Sequence, residues 1–83
     1  MQYIITVFSG RQGAMAFYDQ CIRTRLAADI INTPRELGAG CGISVRTAYR
    51  TLGMAQAMGR RLPTYVGTYL VTQTMTHRTV VRL

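Results

Sequence analysis

The 83-residue sequence has only three acidic residues, two cysteines, one histidine and no lysine. Its acids, Asp19, Asp29 and Glu36, do not form the carboxylate pair of an acid–base catalyst, and no serine–histidine–aspartate set is apparent. His77 has no second ligand at metal-site spacing. The sequence therefore predicts neither a metal nor a cofactor, and it favours a carrier or binding protein over a stand-alone enzyme.

Two cysteines are too few for the disulfide framework of a small secreted domain. Residues 1–8 contain neither a basic leader nor an apolar segment long enough to export or anchor the chain. We therefore expect a reducing cytoplasmic location and no membrane association. All ten basic residues are arginines, and the net charge of +7 predicts an acidic partner: nucleic acid, an anionic small molecule or an acidic protein.

The hydrophobic pattern predicts one domain with the element order βαββαβ. β-branched and aromatic residues predict a strand over residues 2–8, and apolar residues at three- and four-residue spacing predict a helix over 11–25. Further strands are predicted at 26–33, 41–46 and 65–72, and a second helix at 47–61. This order is typical of the ferredoxin-like α+β fold, a four-stranded antiparallel sheet with two helices on one face. Residues 1–72 would form the domain, and residues 73–83 a tail or an extra strand that pairs with another copy.

The stretch Gly40-Cys41-Gly42 places one cysteine between two glycines, after the loop that begins at Pro34. Without neighbouring side chains, the sulfur is accessible and the backbone N–H groups can approach an anion, which indicates a reactive thiol. The alternative is a tight turn around a small buried thiol, because free cysteines are commonly buried. Cys21 lies on the apolar stripe of the first predicted helix, where a packed core thiol is expected.

The predicted topology brings three connections to one end of the sheet: first strand to first helix, second strand to third strand, and second helix to fourth strand. Four arginines would join Cys41 at this end: Arg11, Arg35, Arg60 and Arg61. Positive charge and the N–H groups of a helix N-terminus both favour thiolate over thiol. The alternative is a rim of solvated arginines without a role in chemistry. Cys21, about ten residues along its helix, would lie ~15 Å from this end, too far for a disulfide with Cys41.

Four segments together resemble a family of small bacterial selenium/sulfur carrier-like proteins: YIITVF at residues 3–8, AMA at 14–16, PRE at 34–36 and GCGI at 40–43. The resemblance spans about residues 2–70. It implies that Cys41 is a carrier thiol, that Gly40 and Gly42 shape access to it, and that Pro34 and Arg35 place its loop. It also implies a sulfur or selenium donor protein, such as a cysteine desulfurase, and an acceptor protein.

An RNA-recognition module has the same element order and often a basic surface, but it stacks bases on aromatic residues of its first and third strands. The third predicted strand has no aromatic residue over positions 42–46, which argues against base recognition. Nonspecific contact of the arginines with phosphate remains open on charge alone.

An acylphosphatase-like hydrolase is another alternative, because residues 10–13 could hold a phosphate between the first strand and the first helix. The loop lacks one residue between Arg11 and Gln12 relative to that family, and no counterpart of its water-orienting asparagine is evident. A third alternative is an interaction or regulatory module without chemistry. Pairing of an exposed edge strand or of the tail would allow a homodimer.

Overall fold

The structure is a computed structural model that describes residues 1–38 and 42–83. In chain order the elements are β1 Gln2–Phe8, α1 Arg11–Arg23, β2 Ala28–Asn32, β3 Ile43–Ala48, α2 Leu52–Arg60, β4 Tyr65–Gln73 and β5 Arg78–Arg82. Two short 3₁₀ turns, Arg35–Leu37 and Tyr49–Thr51, precede β3 and α2 respectively. Within the described residues, no helix is long and apolar enough to span a membrane.

The five strands form one antiparallel sheet in the order β2-β3-β1-β4-β5. The predicted sheet has four strands, so β5 is the difference. It forms because β4 extends to Gln73 and offers a free edge, along which Val71 pairs with Val80 and Gln73 with Arg78. The C-terminal residues therefore pair within the chain, where the sequence left open a tail or a strand that pairs with another copy.

Both α-helices pack against the same face of the sheet. Residues from the two helices share one buried cluster with residues of β1 and β3: Phe8, Ala14, Phe17, Cys21, Val45 and Ala55. The rings of Phe8 and Phe17 lie 5.4 Å apart between centroids. The apolar stripe predicted for the first helix is therefore the stripe that α1 buries.

The opposite face, which we call the helix-free face, is also apolar. Its buried residues come mainly from β1 and β4, and one comes from the connection between β2 and β3: Tyr3, Ile5, Val7, Tyr69, Val71 and Leu37. Because both faces of the sheet are covered, every residue of β1 from Tyr3 to Phe8 is buried. On this face, Leu37 of the β2–β3 connection packs against the side chains of β1 and β4.

Candidate functional site

The β2–β3 connection, residues 33–42, contains Cys41, for which the sequence predicts either a reactive thiol or a buried thiol in a tight turn. Hydrogen bonds close its base: the Thr33 N–H donates to the Gly42 carbonyl at 2.9 Å, and the Thr33 and Ser44 hydroxyl oxygens lie 2.6 Å apart. Gly42 is exposed. The predictions for Gly40 and Cys41 lie outside the described residues.

The 3₁₀ turn Arg35–Leu37 packs onto the helix-free face. Leu37 is 7% exposed and lies in the buried cluster of that face. Two backbone hydrogen bonds hold the turn, from the Leu37 N–H to the Pro34 carbonyl at 3.1 Å and from the Gly38 N–H to the Arg35 carbonyl at 3.0 Å. Gly38 ends it with φ +61°, a left-handed conformation that favours glycine. Leu37 therefore fixes the connection to the sheet before residue 39.

An ion pair between Glu36 and Arg78 gives the connection a second attachment. The Arg78 Nε donates to the Glu36 Oε2 at 2.8 Å, and the Arg78 Nη2 donates to the same oxygen. A backbone hydrogen bond at Glu36 and the Arg78 guanidinium both lower the pKa of the Glu36 carboxyl, and the hydrogen bond with Glu36 raises the pKa of Arg78. Because Arg78 begins β5, the connection reaches across the face to the far edge strand.

The structure brings Arg11, Arg60 and Arg61 to one end of the sheet. Arg11 begins α1 just after β1, and Arg60 ends α2 just before β4. These two connections are joined directly, since the Ser9 N–H donates to the Thr64 carbonyl at 2.8 Å. All three arginines are exposed. We call this group, Arg11, Arg60 and Arg61, the arginine end.

The base of the β2–β3 connection lies at this same end of the sheet. Thr6 pairs with Val45, so β3 begins beside the end of β1, and Gly42 immediately precedes β3. Arg35 is exposed and belongs to the turn that runs over the helix-free face, where its neighbour Glu36 contacts β5. Of the four arginines predicted to lie together, three form the arginine end, and the fourth, Arg35, lies within the β2–β3 connection.

Each of the three acidic side chains pairs with an arginine that is not one of the four predicted site arginines. The ion pairs are Asp19 with Arg23 at 3.0 Å, Asp29 with Arg46 at 2.8 Å, and Glu36 with Arg78. Within the described residues, none of the four predicted site arginines has a carboxylate partner. Their charge is therefore available to an external anion.

Comparison with known protein families shows which family the chain belongs to. Residues 2–60 match the model of the family described as "Putative Se/S carrier protein-like". The chain belongs to this family. No curated protein and no solved structure shows a significant match. The matched segment contains Cys41 and the whole β2–β3 connection, whereas β4 and β5 follow it. In this Se/S carrier-like chain, one anchor of the connection, Arg78, therefore comes from outside the family segment.

Cys21 is a core residue of this Se/S carrier-like protein. It lies on the buried side of α1, is 0% exposed, and belongs to the cluster between the helices and the sheet. Burial raises the pKa of its thiol to about 11, so the thiolate is scarce at neutral pH. The prediction of a packed core thiol is confirmed, and Cys21 is unsuited to carrying a transferable atom.

The aromatic residues of the helix-free face do not offer a base-stacking platform. Tyr3 on β1 and Tyr69 on β4 are 8% and 6% exposed. The guanidinium carbons of Arg46 and Arg82 lie 5.6 and 5.8 Å from the respective ring centroids. Since RNA-recognition modules stack bases on exposed aromatics, this face gives that alternative no support.

Residues 10–13, proposed from sequence as a phosphate loop, have a packing role. A Cβ at Gly13 would overlap Thr64 Oγ1 and lie 3.2 Å from the Phe8 ring. Glycine is therefore required for α1 to approach the start of β4, which accounts for the motif without a phosphate. Within residues 1–38 and 42–83, no group of histidine, cysteine or acidic residues could hold a metal ion.

A shallow groove of about 460 Å³ lies elsewhere, at the end of the sheet where β1 begins. Its lining includes the exposed apolar residues Met1 and Ile22 and the Asp29–Arg46 ion pair. The arginine end and the base of the β2–β3 connection lie at the opposite end. Sequence reasoning missed the Glu36–Arg78 pair, because its members are 42 positions apart and neither belongs to a motif.

Proposed function

We propose that this chain is a sulfur or selenium carrier that holds a persulfide or perselenide on Cys41 and passes the terminal atom to an acceptor protein. The family supports a carrier of this kind, and its matched segment contains both cysteines. The burial of Cys21 is the observation that carries the assignment to one residue. A carrier needs an accessible thiolate, and Cys21 is 0% exposed with its pKa raised to about 11, which leaves Cys41.

The transfer step requires one nucleophile and no catalytic acid–base pair. The Cys41 thiolate attacks the terminal sulfur of a donor persulfide, a new S–S bond forms, and the S–S bond within the donor breaks. The donor leaves as a thiolate, so the exchange needs no external oxidant or reductant. An acceptor thiolate takes the terminal atom from Cys41 by the same step. The shortage of carboxylates in the chain is compatible with this chemistry.

The remaining roles follow from the position of the connection. Gly40 and Gly42 keep side chains away from the thiol, and Arg35 supplies positive charge within the same connection. A donor such as a cysteine desulfurase and an acceptor protein are the partners, and a cytoplasmic location supplies the reducing conditions that keep the thiol free. We interpret the four strands in the order β2-β3-β1-β4 as a ferredoxin-like domain over residues 1–72, extended by β5.

Intact-protein mass spectrometry tests the carrier assignment. Wild type, Cys41→Ser and Cys21→Ala are exposed to polysulfide, or to a cysteine desulfurase with cysteine. We expect one added sulfur on wild type and on Cys21→Ala, removable by a reductant, and none on Cys41→Ser. If Cys41→Ser gains sulfur as wild type does, or if wild type gains none, the carrier proposal fails and a binding module without chemistry replaces it.

A further inference from the structure

We infer that the arginine end is the docking surface for an acidic face of the partner protein that exchanges sulfur or selenium with Cys41. This inference rests on the proposed function and names the chemistry of its partner. Arg11, Arg60 and Arg61 lie at the end of the sheet where the base of the β2–β3 connection also lies. A partner that contacts this end would also approach Gly42, the exposed last residue of the connection.

The chain holds the backbone of the arginine end firmly. The Ser9 N–H bonds to the Thr64 carbonyl at 2.8 Å, and the Arg61 and Leu62 N–H groups bond to the carbonyls of Met58 and Gly59 at 3.3 and 3.0 Å. Gly59 is buried, and a Cβ there would lie 3.2 to 3.3 Å from Thr6 and Tyr65, so the end of α2 is tightly packed on the sheet. A preorganised backbone reduces the ordering cost of association.

No acidic side chain of residues 1–38 or 42–83 pairs with the arginine end. The first turn of α1 has no acidic residue and no side-chain cap, and Arg11 places a positive charge at the positive end of the helix dipole. The chain's carboxylates are paired with Arg23, Arg46 and Arg78. This arrangement costs the isolated chain stability and becomes favourable when external carboxylates approach. Arginine is suited to them because its guanidinium binds a carboxylate through two parallel hydrogen bonds.

An acidic protein fits this surface better than nucleic acid does. Single-stranded nucleic acid is bound through basic grooves that also offer aromatic side chains for stacking. Among the described tyrosine and phenylalanine residues, Tyr49 is the exposed one, at 44%, and it follows β3 at the opposite end of the sheet. The arginine end therefore offers charge and hydrogen-bond donors without a stacking platform.

Binding of a decaglutamate peptide tests where on the protein an acidic partner docks. Two double variants with the same net charge are compared. Arg60→Glu/Arg61→Glu reverses two charges at the arginine end. Arg25→Glu/Arg50→Glu reverses two exposed charges at the other end of the sheet, where Arg25 follows α1 and Arg50 precedes α2. We expect the first variant to weaken peptide binding about tenfold more than the second, a loss of about 1.4 kcal/mol. Amide shifts in an NMR titration of wild type should centre on residues 9–13 and 59–64.

Equal losses in the two variants, or amide shifts centred on Arg25 and Arg50, would overturn the inference. So would a competing oligothymidylate that binds wild type more tightly than the peptide and loses affinity selectively in Arg60→Glu/Arg61→Glu. The peptide assay does not involve the thiol, and Cys41→Ser should bind the peptide as wild type does. Failure of docking is therefore distinguishable from failure of sulfur loading.

Discussion

Thr6 and Thr68 face each other across β1 and β4, and both are 0% exposed. Their hydroxyl groups differ in hydrogen bonding. The Thr68 Oγ1 lies 2.6 Å from the Tyr65 hydroxyl, whereas the Thr6 Oγ1 is buried without a partner among the described residues. A buried hydroxyl without a partner loses its hydration without compensation. The Thr6 hydroxyl is therefore expected to destabilise the fold, whereas the hydrogen-bonded Thr68 hydroxyl is expected to stabilise it.

Thr6→Val should raise the free energy of unfolding by about 1 kcal/mol, because it replaces an unpaired buried hydroxyl with a methyl group of similar size. Thr68→Val is the matched control on the neighbouring strand. It should lower the free energy of unfolding by about 1 kcal/mol, because it removes the partner of Tyr65. Urea unfolding of the three proteins measures both changes. A destabilised Thr6→Val would show that its hydroxyl has a native partner.

At the scale of elements, the β2–β3 connection acts as part of the core. Leu37 fills the cluster on the helix-free face, and Glu36 binds Arg78 on β5. The strand that closes the sheet and the connection that carries the proposed thiol therefore stabilise each other. A change that breaks the Glu36–Arg78 pair is expected to affect both.

Glu36→Gln should reduce stability at neutral pH and have a smaller effect in acid. The pKa of Glu36 is lowered in the folded state, so its ionised form stabilises the fold above the ordinary pKa of the carboxyl, 4.5. This contribution is lost as the pH falls through the lowered pKa, because the protonated carboxyl no longer pairs with Arg78. Urea midpoints of wild type and Glu36→Gln should therefore differ at neutral pH and converge as the pH falls through the lowered pKa of Glu36.

Asp29→Asn is the control for this comparison, since it breaks the exposed Asp29–Arg46 pair between β2 and β3 and leaves the connection attached. Hydrogen exchange adds a local readout. The Leu37 N–H, bonded to the Pro34 carbonyl, should exchange faster in Glu36→Gln and unchanged in Asp29→Asn. Equal exchange in both variants would mean that Leu37 alone holds the connection.

The sequence predicted those elements whose pattern is local. The β-branched run of β1 and the apolar stripe of α1 are readable because strand and helix periods act over neighbouring residues. β5 was left open, because its formation depends on how far β4 extends. The Glu36–Arg78 pair could not be predicted, since side chains 42 positions apart meet only after the sheet forms. Cys41 was found from its flanking glycines and the family resemblance, and its role remains a proposal.

At the scale of the whole molecule, positive charge dominates. The net charge is +7, and the three ion pairs of the described residues involve side chains that are at least 39% exposed. Exposed pairs of this kind contribute little to stability, because solvent screens the attraction and the side chains lose conformational freedom when they pair. Within the described residues, the other seven arginines pair with no acidic side chain, and their mutual repulsion opposes the compact state.

Added salt should therefore stabilise this protein, because it screens the repulsion among many arginines more than it weakens three exposed pairs. We expect the urea midpoint to rise as sodium chloride increases from about 0.02 M to about 0.5 M. Arg60→Glu/Arg61→Glu lowers the net charge by four, from +7 to +3, and should show a smaller rise. A midpoint that falls with salt would mean that the three ion pairs outweigh the repulsion. In that case repulsion at the arginine end would not lower the stability of the isolated chain, and an acidic partner would have no such repulsion to relieve.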